Sequence, residues 1–282
     1  MTVVLLGLVA SLLYGVSDFF GAVASRTRPA TEIAFGALVV SGLAVLPAFL
    51  LVDSAWSWEA TLFGVLAGAS AGLGVVLLYA ALAAGPVGFV SPVVALMCAV
   101  LPALFAMATG EPTGGWVLAA LGAIVIGGVL IGLEPDAGLR PAPKTVLLTV
   151  VTGVVYAAYF VFMAATPADS GAVPMLTDSI AAVVVVGAVL LGTRRRGPSG
   201  PPRRGEVALM VAAGLTQGVA TVLLVTALHL PGLAIVSALS ALYPVTTVGL
   251  AVVVLHERLR ARHAVGLLVA IAGVAGLALA RG

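Results

Sequence analysis

The stretch Ala81–Ser91, ALAAGPVGFVS, returns 146 positions later as Ala227–Ser237, ALHLPGLAIVS. Both copies begin with Ala-Leu, end with Val-Ser and carry glycine and proline between two apolar runs. The same spacing relates further pairs outside this stretch: Thr31-Glu32 to Thr177-Asp178, Glu111 to Glu257 and Gly127 to Gly273. The sequence therefore predicts an internal duplication with one copy in each half of the chain.

The composition predicts an integral membrane protein. The 282 residues are 62% hydrophobic and 9% charged, with a mean hydropathy of +1.23, whereas an average soluble domain is about 25% charged. The net charge is only +2, and the arginines cluster in short loops without an aromatic-basic groove, so nucleic acid is not an expected partner. Cys98 is the single cysteine, which excludes an intrachain disulfide and a cysteine-based metal cluster.

Ten apolar segments have about the 20 residues that a membrane-spanning helix needs. Their predicted ranges are 3–24, 31–52, 61–83, 88–108, 116–133, 145–165, 173–192, 206–228, 233–255 and 264–280. We therefore expect an all-α fold with a first five-helix repeat over residues 1–133, a linker rich in proline and glycine over 134–144, and a second five-helix repeat over 145–282. An odd number of spans per repeat makes the two repeats cross the membrane in opposite senses. Many secondary transporters have this inverted arrangement, with the substrate site near the bilayer midplane.

The basic residues predict the orientation of the chain. If the connections between spans are numbered from the N-terminus, twelve of the thirteen basic residues lie in odd-numbered loops, and only Arg281 does not. The even-numbered loops carry acids or no charge. Because basic loops are retained on the cytoplasmic side, we expect a multi-pass protein of the cell (plasma) membrane with cytoplasmic odd loops and external termini.

Four polar side chains are candidates for lining a central cavity. Leu12-Leu13-Tyr14 aligns with Val154-Val155-Tyr156, which puts a tyrosine near the centre of the first span of each repeat. A buried tyrosine hydroxyl needs a hydrogen-bond partner, so the two rings favour either a shared polar cavity or local bonds between packed helices. Gln217 is a further candidate, since an amide in a span must satisfy several hydrogen bonds. Tyr243, a polar side chain of the ninth span, is the fourth.

Asp18 is the candidate for proton coupling, because it is the one acid within the first span. A charged aspartate deep in a span costs about 2.5–3.5 kcal/mol and usually faces a water-filled cavity or a proton pathway. A protonated Asp18 could couple transport to protons. The alternative is that Asp18 lies near the membrane surface, where its carboxylate only reaches the surrounding water or caps the helix.

The remaining acids have structural interpretations. Glu32 and Asp178 are expected in the first turns of the second and seventh spans, where the helix dipole favours acids. Glu111 and Glu257 fall at the equivalent junctions of the two repeats and are expected to anchor these loops by capping or pairing.

Proline and glycine positions predict how the helices bend and pack. Pro92 and Pro102 are expected to interrupt the fourth span, and Pro244 the ninth, because proline removes a backbone hydrogen bond. Gly64, Gly68 and Gly72 lie four residues apart, which leaves one face of the third span open to close approach by another helix.

Enzyme signatures are absent from the sequence. The three histidines do not form an HExxH motif, and no phosphate-binding Gly-Lys loop occurs. We expect no enzymatic activity, no catalytic residues, no metal and no cofactor.

Several of these motifs resemble the EamA-type transporters of the drug/metabolite transporter superfamily. The first unit opens with Leu12–Gly21, LLYGVSDFFG, and closes with Gly110-Glu111-Pro112; the second closes with Leu255–Leu259, LHERL, before the glycine-rich last segment. The resemblance covers nearly the whole chain as two units and implies a ten-helix carrier for small metabolites or drugs, often an exporter. The chain departs from the family pattern at Pro112, where a basic residue commonly follows the glutamate.

These observations give one leading hypothesis, one rival from another class, and a third interpretation in which the chain flips lipid or lipid-linked substrates through a cavity open laterally to the bilayer. The leading hypothesis is a secondary transporter, an exporter of a small organic solute, with Tyr14, Tyr156, Gln217 and Tyr243 in the cavity and Asp18 carrying protons. Its expected partners are a small-molecule substrate and the lipid bilayer, and it is expected to act as a monomer or homodimer. The rival is a non-transporting membrane sensor or assembly partner that retains the fold and docks a partner at the basic loop 7.

Overall fold

A computed structural model describes residues 2–84, 87–110, 114–132, 142–193, 200–240 and 242–255, together with 265–266, 268–269, 272–273 and 276. The described chain is α-helical apart from its turns and one short 3₁₀ segment, Ala168–Ser170. The helices are α1 Thr2–Ala24, α2 Ala30–Val45, α3 Ala48–Leu51, α4 Trp58–Ala84, α5 Val87–Ala108, α6 Gly115–Gly132, α7 Pro143–Ala164, α8 Val173–Thr193, α9 Arg204–Leu228, α10 Leu233–Ser240 and α11 Tyr243–Leu255.

Five of the described helices are long and apolar enough to cross a membrane. Large apolar side chains remain exposed on their outer sides; Leu5, Leu147 and Val184 are each more than 60% exposed. A surface of this kind would aggregate in water but is the natural surface of a protein embedded in lipid. The fold is that of a multi-pass membrane protein. The spanning stretches are Thr2–Ala24, Trp58–Leu78, Pro143–Ala164, Val173–Gly192 and Arg204–Leu228.

Two predicted spans are broken into two helices each. The segment predicted at 31–52 ends as α2 at Val45 and resumes as α3 after Pro47. The segment predicted at 233–255 ends as α10 at Ser240 and resumes as α11 at Tyr243, one residue before Pro244. Proline cannot donate the hydrogen bond that continues a helix but is well accommodated in its first turn, so both breaks lie beside a proline.

The expected interruption of the fourth span is wrong. Helix α5 runs without a break from Val87 to Ala108, through both Pro92 and Pro102. Membrane helices tolerate internal proline where neighbouring groups satisfy the freed backbone carbonyls.

The helices of the first half pack mainly against helices of the second half. Helix α1 lies along α9, and α4 lies along α7 and α8. Helix α2 packs on α9 and α8, α5 packs on α7 and α10, and α1 also contacts α10 and α11. The largest core cluster accordingly combines Val3 and Ala10 of α1 with Met163 of α7 and Leu224 of α9.

Glycines allow these helices to approach closely. A Cβ atom at Gly68 would overlap the backbone of Asp178 on α8, and one at Gly72 would meet the backbone of Ala182. The prediction that Gly64, Gly68 and Gly72 form a close-packing face is therefore confirmed. Gly214 and Gly218 of α9 pack against the α2 backbone in the same way.

The loops gather at two opposite ends of the bundle. At one end, Arg28 Nη2 donates to the carbonyl of Gly200 over 2.7 Å, which joins loop 1 to loop 7. At the other end, Ala55 N donates to the carbonyl of Asp169 over 2.9 Å, which joins loop 2 to loop 6. We name these ends the odd-loop face and the even-loop face.

The two faces differ in their side chains. The odd-loop face carries Arg26, Arg203 and Arg204, all exposed, whereas Asp53 and Asp169 are exposed on the even-loop face. All three tryptophans also lie at the even-loop face and are between 61% and 71% exposed, as is common for tryptophan at a membrane–water boundary. They are Trp56, Trp58 and Trp116.

Asp178 occupies a different place from the one expected. Glu32 is the third residue of α2 and lies in its first turn, as predicted, but Asp178 is the sixth residue of α8 and is 6% exposed. The equal spacing of Thr31-Glu32 and Thr177-Asp178 in the sequence hides the additional turn at the start of α8. The helix-dipole interpretation therefore applies to Glu32 and fails for Asp178.

Candidate functional site

A hydrogen bond near the middle of the bundle joins the two halves. The hydroxyl of Tyr14 on α1 lies 3.0 Å from the hydroxyl of Thr221 on α9. Thr221 also donates to the backbone carbonyl of Gln217, one turn earlier, over 3.0 Å. Gln217 is half-buried and lies one turn before Thr221 on the same face of α9, the face that packs against Tyr14.

Three further hydrogen bonds hold α1 against the second half. Ser17 donates to the carbonyl of Ala213 over 2.9 Å, and Ser11 to the carbonyl of Ser240 over 3.5 Å. Thr247 of α11 donates to the carbonyl of Gly15 over 3.1 Å. These bonds fix which face of α1 points into the bundle.

Asp18 lies on that inward face but is exposed. The positions 7, 11, 14 and 18 follow the three- and four-residue spacing of one helix face, and the first three contact α10 and α9. The lipid-facing positions, such as Leu5 and Leu12, are on the opposite side and are 63% and 45% exposed. The exposure of Asp18 is therefore to space within the bundle, and Ala22, one turn nearer the odd-loop face, is exposed as well. A cleft that opens toward the odd-loop face would account for the exposure of both Asp18 and Ala22.

Tyr243 packs against α1 one turn from Asp18, on the side toward the middle of the bundle. It is the first residue of α11, and its carbonyl is packed so tightly against Gly15 that a Cβ atom there would overlap it. Its ring is close enough to Asp18 to interact with the carboxyl electrostatically. The Oγ1 atom of Thr246, one turn further along α11, is buried and has no hydrogen-bond partner among the described residues.

Tyr156 lies apart from the Tyr14 group. Its ring packs against α4 at Gly74 and belongs to a cluster with Ala81, Val90 and Val94. Cys98 of α5 contacts both this cluster and the one that contains Tyr14. The two tyrosines therefore pack against different clusters, which Cys98 connects.

Sequence reasoning missed a second acidic position beside Tyr14. The hydroxyls of Tyr14 and of Tyr159 on α7 lie close enough to interact, and the Asp178 carboxyl is near enough to act on both electrostatically. The Oδ1 atom of Asp178 is buried without a hydrogen-bond partner among the described residues. The signal available in the sequence was the apolar surroundings of Asp178, which the comparison with Glu32 concealed.

The junction acids Glu111 and Glu257 lie outside the described residues, so their anchoring role stays a prediction. The described part of the odd-loop face holds a different acidic contact: Arg28 pairs with both Glu32 and Glu206, and Glu206 also accepts from the backbone N–H of Arg203 over 2.9 Å. This network connects loop 1 with the start of α9.

A shallow pocket of about 320 Å³ lies at the even-loop face, between the ends of α5, α7 and α9. Its walls are mainly apolar and include Phe105, Val161 and Leu233. Nearby, Thr166 Oγ1 lies 2.7 Å from His229 Nε2. Burial lowers the pKa of His229 below its ordinary value, against an opposing effect of the Asp169 charge. Histidine is therefore neutral here at pH 7.

No group of three or more His, Cys, Asp or Glu side chains within the described ranges could hold a metal ion. Among the residues that the structure describes, the polar groups toward the middle of the bundle include hydroxyls, the amide of Gln217 and the carboxyls of Asp18 and Asp178, which can bind polar solutes and protons.

Comparison with known proteins identifies the second half of the chain. Residues 143–279 match the EamA-like transporter family, which confirms the family that the sequence motifs indicated. A crystal structure of a protein with 19% identity superposes over 98% of this chain and 96% of its own length, with a TM-score of 0.79. At that identity the likeness extends to the fold alone. No curated protein matches the chain.

Proposed function

Because residues 143–279 belong to the EamA-like transporter family of the drug/metabolite transporter superfamily, we propose that this chain is a secondary transporter that exports a small organic solute by alternating access. It works without enzymatic chemistry and draws on a proton gradient through Asp18. Tyr14, Gln217 and Tyr243 bind the solute in the cleft, and Tyr156 enters the site when the bundle rearranges.

The packing of the helices supports an inverted duplication of five spans per half. The contact of α1 with α9 corresponds to that of α7 with α4, and the contact of α2 with α9 to that of α8 with α4. The contact of α5 with α7 corresponds likewise to that of α10 and α11 with α1. Exchanging the two halves therefore preserves the pattern of neighbours, as a pseudo-twofold axis in the membrane plane requires.

The central tyrosines follow the same exchange. Tyr14 packs against α9 beside Thr221, and Tyr156 packs against α4 beside Gly74. Two equivalent rings in unequal environments are what a transporter caught in one of two symmetry-related states presents. Tyr14 lies next to the cleft in this state, and Tyr156 takes that place in the opposite state.

The observation that carries the proposal is the exposure of Asp18 on the packed side of α1. A carboxyl within a span is costly in lipid and persists where it serves a water-filled pathway. The cleft that reaches Asp18 opens toward the odd-loop face, and we assign that face to the cytoplasm from its arginines. A solute then enters from the cytoplasm, and the even-loop face with its external termini is the side of release across the plasma membrane.

Proton coupling follows from one carboxyl serving two purposes. An ionised Asp18 in the cytoplasm-facing cleft favours a solute with a positive or hydrogen-bond-donating group. Protonation removes that attraction and lowers the cost of closing the cleft around the side chain. The cleft closes when Asp18 holds either the solute or a proton, but not when Asp18 is a bare carboxylate. Each transport cycle therefore exports solute in exchange for protons.

Comparison of metabolites in medium and cytoplasm tests this function. Cells that overproduce the intact chain are compared with an empty control, with cells producing Asp18→Asn, and with cells producing Asp53→Asn at equal protein level. Asp53 is an exposed acid of loop 2, so its replacement is the matched control. We expect a solute to accumulate in the medium with the intact chain and with Asp53→Asn, and at least tenfold less with Asp18→Asn.

Identical metabolite profiles in all four cultures would contradict export. They would favour the non-transporting sensor or assembly partner, which predicts no solute flux and a bound protein at loop 7. Export that is unaffected by Asp18→Asn would retain the transporter and remove Asp18 from its mechanism.

A further inference from the structure

The second buried acid of the bundle, Asp178, is not used by the function proposed above. It lies in the second turn of α8, on the even-loop side of Tyr14, whereas Asp18 lies on its odd-loop side. Each carboxyl is near enough to the Tyr14 hydroxyl to act on it electrostatically. The two acids are therefore at opposite ends of a group of hydroxyls that crosses the middle of the bundle.

Asp178 has no cationic partner among the side chains that the structure describes. Helix α4 faces it with Gly64 and Gly68, which bring the two backbones into direct contact. Helix α2 faces the adjacent Ser179 with Gly42. Of the described titratable side chains on the elements around it, those that face Asp178 are the hydroxyls of Tyr14 from α1 and Tyr159 from α7.

The remaining charged groups on these helices are at their ends. Glu32 lies in the first turn of α2 at the odd-loop face, where it pairs with Arg28. Glu59 and Glu206 lie in the first turns of α4 and α9, and Glu206 also pairs with Arg28. The described cations on these helices, Lys144 in the first turn of α7 and Arg204 at the start of α9, are exposed at the odd-loop face, at the opposite end of the bundle from Asp178.

A buried, unpaired carboxylate is among the most costly groups that a protein can contain, and it takes up a proton in preference to remaining charged. The Oδ1 atom of Asp178 is inaccessible and lacks a hydrogen-bond partner among the described residues. A proton needs no cavity of its own, whereas hard metal cations take six or more oxygen ligands. The close contact of α4 with α8 thus favours a proton as the occupant.

We propose that Asp178 is a second proton-binding site, which exchanges protons with Asp18 through the hydroxyls of Tyr14 and Tyr159. This inference rests on the proposed transport function and adds the proton's route. A tyrosine hydroxyl both donates and accepts, so it passes a proton on without becoming charged. When a proton leaves the Asp178 carboxyl, a hydroxyl accepts it and gives its own proton onward, until the Asp18 carboxylate is protonated and Asp178 is left as the carboxylate.

The position of each acid determines the side from which it is reached. Asp18 is exposed to the cleft at the odd-loop face in the present state, and Asp178 is closed. In the opposite state of an alternating-access cycle, the parting of α8 from its neighbours exposes Asp178 to the even-loop face. A proton then binds to Asp178 from outside and leaves from Asp18 inside, in exchange for the exported solute.

Infrared spectroscopy of the purified full-length chain in lipid vesicles tests the site without any transport assay. A protonated aspartic acid has a carbonyl stretching band that an ionised one lacks. We expect the wild-type chain at pH 7 to show this band, Asp178→Asn to lose it, and Asp18→Asn and the control Asp53→Asn to retain it. If Asp178→Asn does not fold, Asp178→Glu should shift the band without removing it.

A persistent band in folded Asp178→Asn, or no band in the wild-type chain, would overturn the proposal. Loss of the wild-type band when sodium chloride replaces choline chloride would also overturn it, in favour of a metal ion. The relay is tested by transfer into D₂O, where Tyr14→Phe with Tyr159→Phe should slow the isotope shift of the band at least tenfold. An unchanged rate would exclude the two tyrosines as the route.

These results are independent of the export experiment. A band assigned to Asp178 together with absent export would mean a proton site in a protein that does not transport. Export without the band would retain the transporter and reject Asp178 as its proton site.

Discussion

The Nε atom of Arg28 lies 3.1 Å from Oε2 of Glu206, and this ion pair joins loop 1 to the start of α9. Arg28 also pairs with Glu32, and these two glutamates, Glu32 first, raise the pKa of Arg28 above its ordinary value. The guanidinium therefore remains charged throughout the physiological pH range. One side chain thus connects the N-terminal ends of α2 and α9, which belong to different halves of the chain.

This network predicts coupled effects of substitution. Arg28→Gln and Glu206→Gln should each lower the melting temperature of the purified protein, because the first leaves Glu206 without its cation and the second removes one of the two carboxylates that pair with Arg28. The double variant should be less destabilised than the sum of the two, since both changes remove the same ion pair. Thermal unfolding of the four proteins in detergent measures this coupling, and strictly additive effects would show that the pair contributes nothing.

The glycine face of α4 gives a second prediction, on stability. In Gly68→Ala the new methyl group overlaps the backbone of Asp178, and overpacking of this kind costs about 1–3 kcal/mol. Gly122→Ala on α6 is the matched control, because a Cβ atom there meets no other atom within 4 Å. Alanine at position 122 should be neutral or stabilising by about 0.5–1 kcal/mol through its helix propensity. Equal unfolding midpoints for the two variants would contradict the close contact of α4 with α8.

His229 predicts a pH dependence of stability. Burial lowers its pKa, so the unfolded chain, whose histidine titrates near 6.5, takes up a proton at a higher pH than the folded chain. The free energy of unfolding therefore has its full value above pH 6.5 and decreases as the pH falls below it. His229→Gln should remove this part of the decrease while keeping a group that can bond Thr166. Unfolding curves between pH 7.5 and 5.5 test this, and the same slope in both proteins would exclude His229 as the titrating group.

The assignment of the two faces predicts which positions a membrane-impermeant maleimide reaches in intact cells. In a Cys98→Ala background, Asp53→Cys on the even-loop face should be labelled, whereas Lys144→Cys near the odd-loop face should not. Both positions are exposed, so exposure alone does not distinguish them. Labelling of Lys144→Cys alone would show that the odd-loop face is external. The cleft would then open to the outside, and the proposed direction of transport would be import.

Much of this architecture follows from the sequence because lipid imposes strict requirements. Apolar segments of about 20 residues must form helices, and the spacing of Gly64, Gly68 and Gly72 identifies a contact face without any knowledge of the partner. The breaks at Pro47 and Leu242 are harder to predict. The same residue type, proline, ends α2 yet is tolerated within α5 at Pro92 and Pro102, because the outcome depends on which neighbours satisfy the freed backbone groups.

The candidate site shows where sequence reasoning stops. The sequence predicts the central position of Tyr14 in its span. Its partner Thr221 is 207 residues away in the chain, and only the packing of α1 on α9 brings the two side chains together. Asp178 was assigned to a first helical turn by its alignment with Glu32. Its burial depends on the close packing of α4 on α8, where Gly68 lies against the Asp178 backbone.

Accessibility of position 18 tests the cleft most directly. The variant Asp18→Cys in the Cys98→Ala background is treated with the impermeant maleimide, once in everted vesicles and once in right-side-out vesicles. Leu12→Cys is the control. Both positions are exposed, but Leu12 faces lipid, where a thiol stays protonated and unreactive. We predict that Asp18→Cys is labelled in everted vesicles only and that Leu12→Cys is labelled in neither. An unreactive Asp18→Cys in both preparations, or one that reacts only from outside, would contradict a cytoplasmic cleft within the bundle.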